Sequence, residues 1–300
     1  MKLRLGTRGS RLALAQSNGI KSRLEALGHE VVLQVIQTQG DLHRDVAFEN
    51  LGAAGIFVRS LEQALVRGEV DLAVHSYKDL PSDSPSELTV AAVPERRDPA
   101  DLLLVRADAV DRSAPGPLPL FRGARVGTAA ARRRALLLDM RPDLEVGTLR
   151  GNVPTRLRKL QDGEHDAIVL AAAGIDRLAQ DLDGERSGLL ELRLDPERFV
   201  PAPSQGALAL QVRRDDPAAS AVAVLNDADV YRCVQAERLL LERMDAGCHV
   251  AFGAWCRSTE EGLRMNAIFG GREMQRGLRR ASGLGCDPER LAREVWEQLK

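Results

Sequence analysis

Aromatic residues and lysine are both scarce in this chain of 300 residues. Aromatics are 3% of the composition, which leaves few platforms for stacking nucleic-acid bases. Lysine occurs only at Lys2, Lys21, Lys78, Lys159 and Lys300, and arginine supplies the rest of the 42 basic residues. With 43 acidic residues the formal net charge is −1, so there is no broadly cationic surface of the kind that gathers polyanions. No apolar run is long enough to span a bilayer, and the N-terminus enters an apolar strand with no leader pattern. A cytoplasmic protein is expected, with neither membrane nor nucleic acid as partner. The four cysteines, Cys233, Cys248, Cys256 and Cys286, have no C-x-x-C spacing. That argues against a metal site and a disulfide framework, and for a reducing compartment.

What is present is globular: 44% hydrophobic and 28% charged residues, in a chain long enough for two or three cores. Arginine is a planar fork suited to carboxylates and phosphates. Genomic base composition could produce the same bias, so the positions of individual arginines carry more than their number.

The stretch DLAVHSYKDLP at 71–81 reads as a short buried strand that breaks into a loop carrying His75, Ser76, Lys78 and Asp79. Polar groups beyond the end of an apolar strand lie where open α/β sheets bind ligands; a solvated turn before Pro81 would read the same. Upstream, LRLGT at 3–7 predicts a strand, Ser10 a helix cap, and the residues to about Leu27 a helix. A second strand is expected over 30–37, an irregular stretch over 38–55, and a helix from about Ile56 to Arg67. Further strands are expected near 88–93 and 102–105, with a surface loop over 108–119.

The chain then repeats itself. GTRGSRLAL at 6–14 matches GTAAARRRAL at 127–136, and GEVDLAVHS at 68–76 matches GEHDAIVLA at 163–171. Two βα lobes of like design enclosing a cleft are expected, although an Ala/Leu/Arg-rich chain can produce such matches by chance. In the second lobe a strand from 144 should end at Arg150, with Pro154 and Arg156 in the first turn of the next helix. Arg132 and Arg133 stand at another helix start. Helix N-termini favour anions, so these arginines predict an anion-seeking cleft; salt bridges to nearby acids are the alternative for any one of them. A loop then a strand are expected over 198–213, and a long helix over 228–244. Short strands follow across 249–282 with a turn at Gly270–Gly271, and a last helix runs from about Pro288.

Taken together, TRGSRLALAQ at 7–16, GIFVRSLEQAL at 55–65, DLAVHSYKDLPS at 71–82, VGTAAARRRALL at 126–137, LRGNVPTRL at 149–157, DAIVLAAAGIDRL at 166–178, VPAPSQGAL at 200–208 and AERLLLERMDAGC at 236–248 resemble the hydroxymethylbilane synthase (porphobilinogen deaminase) family over the whole chain. The resemblance implies an α/β fold with two periplasmic-binding-protein-like lobes and a small C-terminal α/β domain. It divides the chain into 1–98 with 199–217, 99–198, and 218–300. It implies a monomeric transferase that joins four porphobilinogens head to tail with loss of ammonia. It also implies a dipyrromethane cofactor attached covalently to Cys248. By the same resemblance Asp79 is catalytic. Ser76, Lys78, Thr128, Arg132, Arg133, Arg150 and Arg156 hold the cofactor, while Arg8, Ser10, Arg177 and Gln205 meet the substrate.

This sequence departs from the family pattern at three places. Ala129 and Ala130 stand where the family usually has two serines, and Ala54 and Arg59 where it usually has lysines. Two other readings follow: a family member of reduced activity, or a two-lobed binding protein for a small anion without chemistry. Asp79 and Cys248, together with a third domain, separate the enzyme from the binding protein.

Overall fold

In the computed structural model the described residues are 1–36, 53–114, 116–244, 250–270 and 277–300. Most of the 38–55 stretch, Gly271 of the expected turn, and Cys248 lie outside them. The chain forms two compact units, 1–97 with 206–232, and 98–205 with 233–300.

Unit one is built on β1 (Lys2–Thr7), β2 (Glu30–Val35), β3 (Leu72–Ser76), β4 (Leu88–Ala92) and a later strand, Leu208–Arg213. That later strand lies between β3 and β4 and runs antiparallel to both, while β1 is parallel to β2 and to β3. Alternation sorts the side chains by face. Leu3, Leu5, Leu72 and Val74 pack with Ile20 and Leu24 of α1 (Arg11–Ala26). Ala73 faces the other way, toward Leu61, Ala64 and Leu65 of α2 (Ala53–Val66). Ser10 caps α1 as expected, its Oγ accepting the Ala13 N–H at 3.3 Å.

Unit two contains β5 (Asp101–Arg106), β6 (Arg125–Gly127), β7 (Glu145–Gly147), β8 (Ala167–Ala171) and β9 (Leu189–Leu194). With the Leu208–Arg213 strand numbered β10, the two sheet orders are β2-β1-β3-β10-β4 and β7-β6-β8-β5-β9. Both have two parallel pairs followed by two antiparallel pairs. β1 and β3 occupy the places of β6 and β8, the same strands that the sequence repeat pairs. The five-stranded sheet of unit two carries α3 (Ala131–Met140), α4 (Val153–Gln161), α5 (Ala172–Arg177) and α6 (Asp183–Arg186).

In the C-terminal part, β11 (Ala251–Thr259), β12 (Gly262–Gly270) and β13 (Arg279–Gly285) form an antiparallel meander. After the short α7 (Ala218–Ala223), α8 (Ala228–Arg243) supplies Ala236 and Leu240 to the core of this sheet, and α9 (Pro288–Leu299) supplies Leu291, Val295 and Leu299. A Cβ on Gly283 would come within 2.7 Å of Leu291, so the last helix lies directly on the sheet. The fold is α/β throughout, with two like sheets and a smaller C-terminal α/β layer. Among the described residues no helix is long and apolar enough to cross a membrane.

Candidate active site

In unit one, β1 and β3 are parallel neighbours, so the segments that follow them emerge at one edge of the sheet. There Arg8, Ser10, Gln16, His75, Ser76 and Asp79 line a cavity of about 90 Å³ whose apolar wall includes Val58, Leu61 and Val74. β3 passes into a single 3-10 turn, Tyr77–Asp79. Buried Tyr77 and Leu80 pin that turn, and the Tyr77 N–H donates to the Ala207 carbonyl at 3.1 Å. The anchored turn leaves Lys78 and Asp79 exposed, so the backbone at Asp79 is held while its carboxylate remains open to a ligand. Gln16 is 6% exposed and its Nε2 donates to Ser76 Oγ at 2.8 Å. Sequence reading gave Gln16 no role. Its signal was a polar residue in the stripe that continues with Ile20 and Leu24.

His75, in the wall of this cavity, is buried. Burial, partly offset by the nearby Gln211 amide, pulls its pKa down to about 4, so the imidazole is neutral near neutral pH. Gln211 in turn donates to the buried Glu62 carboxylate at 3.1 Å.

In unit two, Arg132 and Arg133 converge on one carboxylate. Arg132 and Arg133 occupy the first turn of α3, yet they are only 5% and 6% exposed. Between them lies Asp101, the first residue of β5, which is wholly enclosed. Arg132 Nη1 donates to Asp101 Oδ2 at 2.7 Å and to the Val200 carbonyl at 2.8 Å. Arg133 donates to Asp101 Oδ1 through Nε and Nη2 at 3.0 and 2.7 Å, and to the Val169 carbonyl at 2.9 Å. Burial pushes the Asp101 pKa up, but the two guanidiniums outweigh it and hold the carboxyl well below the usual carboxylate range. Burial lowers the Arg132 pKa, with Asp101 opposing.

Arg156 sits in the first turn of α4, its Nε donating to the Gly151 carbonyl at 2.7 Å. Its pKa is lowered by burial and then by the charge of Arg133. Gly151 makes the preceding turn at φ 116°, with a Cβ position 2.8 Å from Thr155, so no side chain fits there. Arg150 is exposed in the loop after β7, which ends at Gly147 and not at Arg150 as expected. Thr128 is buried and its Oγ1 accepts the Ala130 N–H at 3.2 Å. Arg177 closes α5, half-buried.

Asp101 was not singled out from the sequence. Its signal was an acid opening an apolar strand, as Asp71 and Asp166 also do. Gln205 is 1% exposed, and its Nε2 donates to the Pro99 carbonyl at 2.8 Å and to Asp101 Oδ1 at 3.0 Å.

This donor set fits a group rich in carboxylates. Among the described residues, Arg132 and Arg133 share one carboxylate, and Arg156 forms no ion pair. The buried cluster therefore keeps an excess of positive charge that a further anion would neutralise. No group of three or more His, Cys, Asp and Glu among the described residues could hold a metal ion.

Two family models cover nearly the whole chain: "Porphobilinogen deaminase, dipyromethane cofactor binding domain" matches residues 3–221 and "Porphobilinogen deaminase, C-terminal domain" matches residues 231–300. The chain is 40% identical over 303 residues to a porphobilinogen deaminase of Syntrophobacter fumaroxidans, covering 99% of this chain and 94% of that protein. It is 43% identical over 302 residues to one of Trichlorobacter lovleyi, covering 99% and 93%. A solved ancestral cationic amino acid solute binding protein is similar at 14% identity and a TM-score of 0.45, over 75% of this chain and 87% of that one; the architecture above rests on the sheets themselves and not on this likeness. With both family models matched and full-length relatives at this identity, the chain belongs to the porphobilinogen deaminase family.

Proposed function

We infer that the chain is a hydroxymethylbilane synthase, which joins four porphobilinogen molecules head to tail and releases the linear tetrapyrrole by hydrolysis. Besides family membership, the observation that carries this reading is the buried guanidinium cluster with a single internal carboxylate. Each porphobilinogen ring brings two carboxylates, so a growing chain supplies the anions this cluster lacks.

Arg132, Arg133 and Arg156, with Arg150, Thr128, Ser76 and Lys78, would hold the carboxylates of a dipyrromethane cofactor attached at Cys248. When bound, that cofactor supplies the pyrrole α-carbon from which the chain grows. Arg8, Ser10 and Arg177 orient the incoming substrate through its own carboxylates. Ammonia leaves the substrate's aminomethyl carbon with the C–N bonding pair, and the carbon left behind shares its positive charge with the pyrrole nitrogen. The Asp79 carboxylate stabilises that charge from the ring N–H side. A C–C bond then forms between that carbon and the free α-carbon of the last ring already held, and Asp79 receives the proton which that α-carbon sheds. The protein acts as a cytoplasmic monomer, with no nucleic-acid or membrane partner.

Asp79→Asn tests the assignment. The side chain is exposed on an anchored turn, so the thermal midpoint should hold while turnover of porphobilinogen falls by roughly 10²–10⁴-fold. Near-normal turnover in a folded variant would remove Asp79 from the chemistry.

A further inference from the structure

Asp101 takes no part in the chemistry above, yet it is fully enclosed and held on several sides. Its Oδ1 accepts two Arg133 donors and, at 3.0 Å, Gln205 Nε2, while Oδ2 accepts Arg132 at 2.7 Å. The brace extends further. Ser204, immediately before Gln205, lies in the left-handed region at φ 62°. Its N–H is held at 2.6 Å by the buried Glu237, whose other oxygen accepts the Cys256 N–H at 2.7 Å. A non-glycine residue keeps such a conformation only where its surroundings over-determine it. The segment carrying Gln205 is thus fixed, and with it the plane of the Asp101 carboxylate.

Two buried guanidiniums side by side repel each other unless an anion lies between them. An anion that arrives with a ligand cannot do this before the ligand is there. We propose that Asp101, braced by Gln205, is the resident counter-anion that keeps Arg132 and Arg133 in place before the cofactor is present, and so sets the rate at which the protein acquires it. This rests on the cofactor reading given above. Asp101 is then a positioning residue acting through the two arginines, and Gln205 is its brace.

The test follows the intact mass of cofactor-free protein incubated with porphobilinogen, together with thermal midpoints before and after loading. The wild-type protein should gain the mass of two porphobilinogens less two ammonias. Asp101→Asn should gain it roughly ten-fold more slowly or worse, and should lose more thermal stability in the cofactor-free form than in the loaded form. A merely structural role would lower both forms equally and leave loading unchanged, and either result overturns the proposal. Gln205→Met carries the same test if Asp101→Asn does not fold. Loading slowed roughly three-fold or more supports the brace, and a wild-type rate overturns it. A wild-type protein that gains no mass overturns the cofactor reading itself, which no variant result would mimic.

Discussion

Asp166 accepts both the main-chain N–H and the Nη2 of Arg125, each at 2.8 Å. Asp71 does the same for Arg4 at 2.9 and 2.6 Å. Each acid immediately precedes a central strand, β8 or β3, and each arginine lies on the neighbouring parallel strand, β6 or β1. The internal repeat is therefore chemical as well as topological: one acid ties the start of one strand to the main chain of the next in both sheets.

Replacing Asp71 or Asp166 by alanine should lower stability by about 2–3 kcal/mol, measured by urea denaturation. For both, burial raises the pKa, but the arginine hydrogen bonds outweigh it and the net shift is downward. A depressed carboxylate stabilises the fold above its unfolded pKa, roughly 3.9, and loses that contribution as pH falls through its folded value. The gap between wild type and either variant should stay constant from neutral pH to about pH 5 and narrow in stronger acid.

His75 should produce a second acid dependence, in a higher window. Its folded pKa of about 4 lies below the ordinary value of 6.5. Between those values the unfolded chain binds a proton that the folded chain does not, so stability is complete above pH 6.5 and falls as pH drops toward 4. The loss is on the order of 3 kcal/mol. Urea denaturation of wild type and His75→Asn at pH 7.0 and 4.5 checks this: the wild type should lose more stability than the variant over that interval. Equal losses would show that the imidazole does not titrate as its burial requires.

The sequence made the strands that carry the repeat legible, because apolar runs entered from Gly-Glu-x-Asp are local signals. Ser10 as a helix cap was legible for the same reason. Asp101 was not, because its partners come from residues 31 and 32 positions later, and nothing local marks a lone acid as the counter-ion of two distant arginines. Gln205 lies in a matching motif, but its contact with Asp101 was not legible, because 104 positions separate the two residues. β9 was overlooked because Leu189–Leu194 is half-exposed and alternates leucine with charge beside short helical turns.

Ala130 occupies the N-cap of α3 and makes no side-chain cap bond. Ala130→Ser should supply an acceptor for a free N–H of the first turn and raise the stability of unit two by about 1 kcal/mol. A calorimetric scan checks the sign. If the hydroxyl also meets an anion held by this helix start, turnover should rise with stability; a gain in stability alone would confine the serine to capping.

The intact mass of the loaded protein during a limiting supply of porphobilinogen separates turnover from binding alone. A ladder should appear above the loaded mass, each rung heavier by one porphobilinogen less one ammonia, and collapse back to the loaded mass as the linear tetrapyrrole is released. A single mass that never changes while the protein binds porphobilinogen would contradict turnover, and would make the arginine cluster a binding site without chemistry.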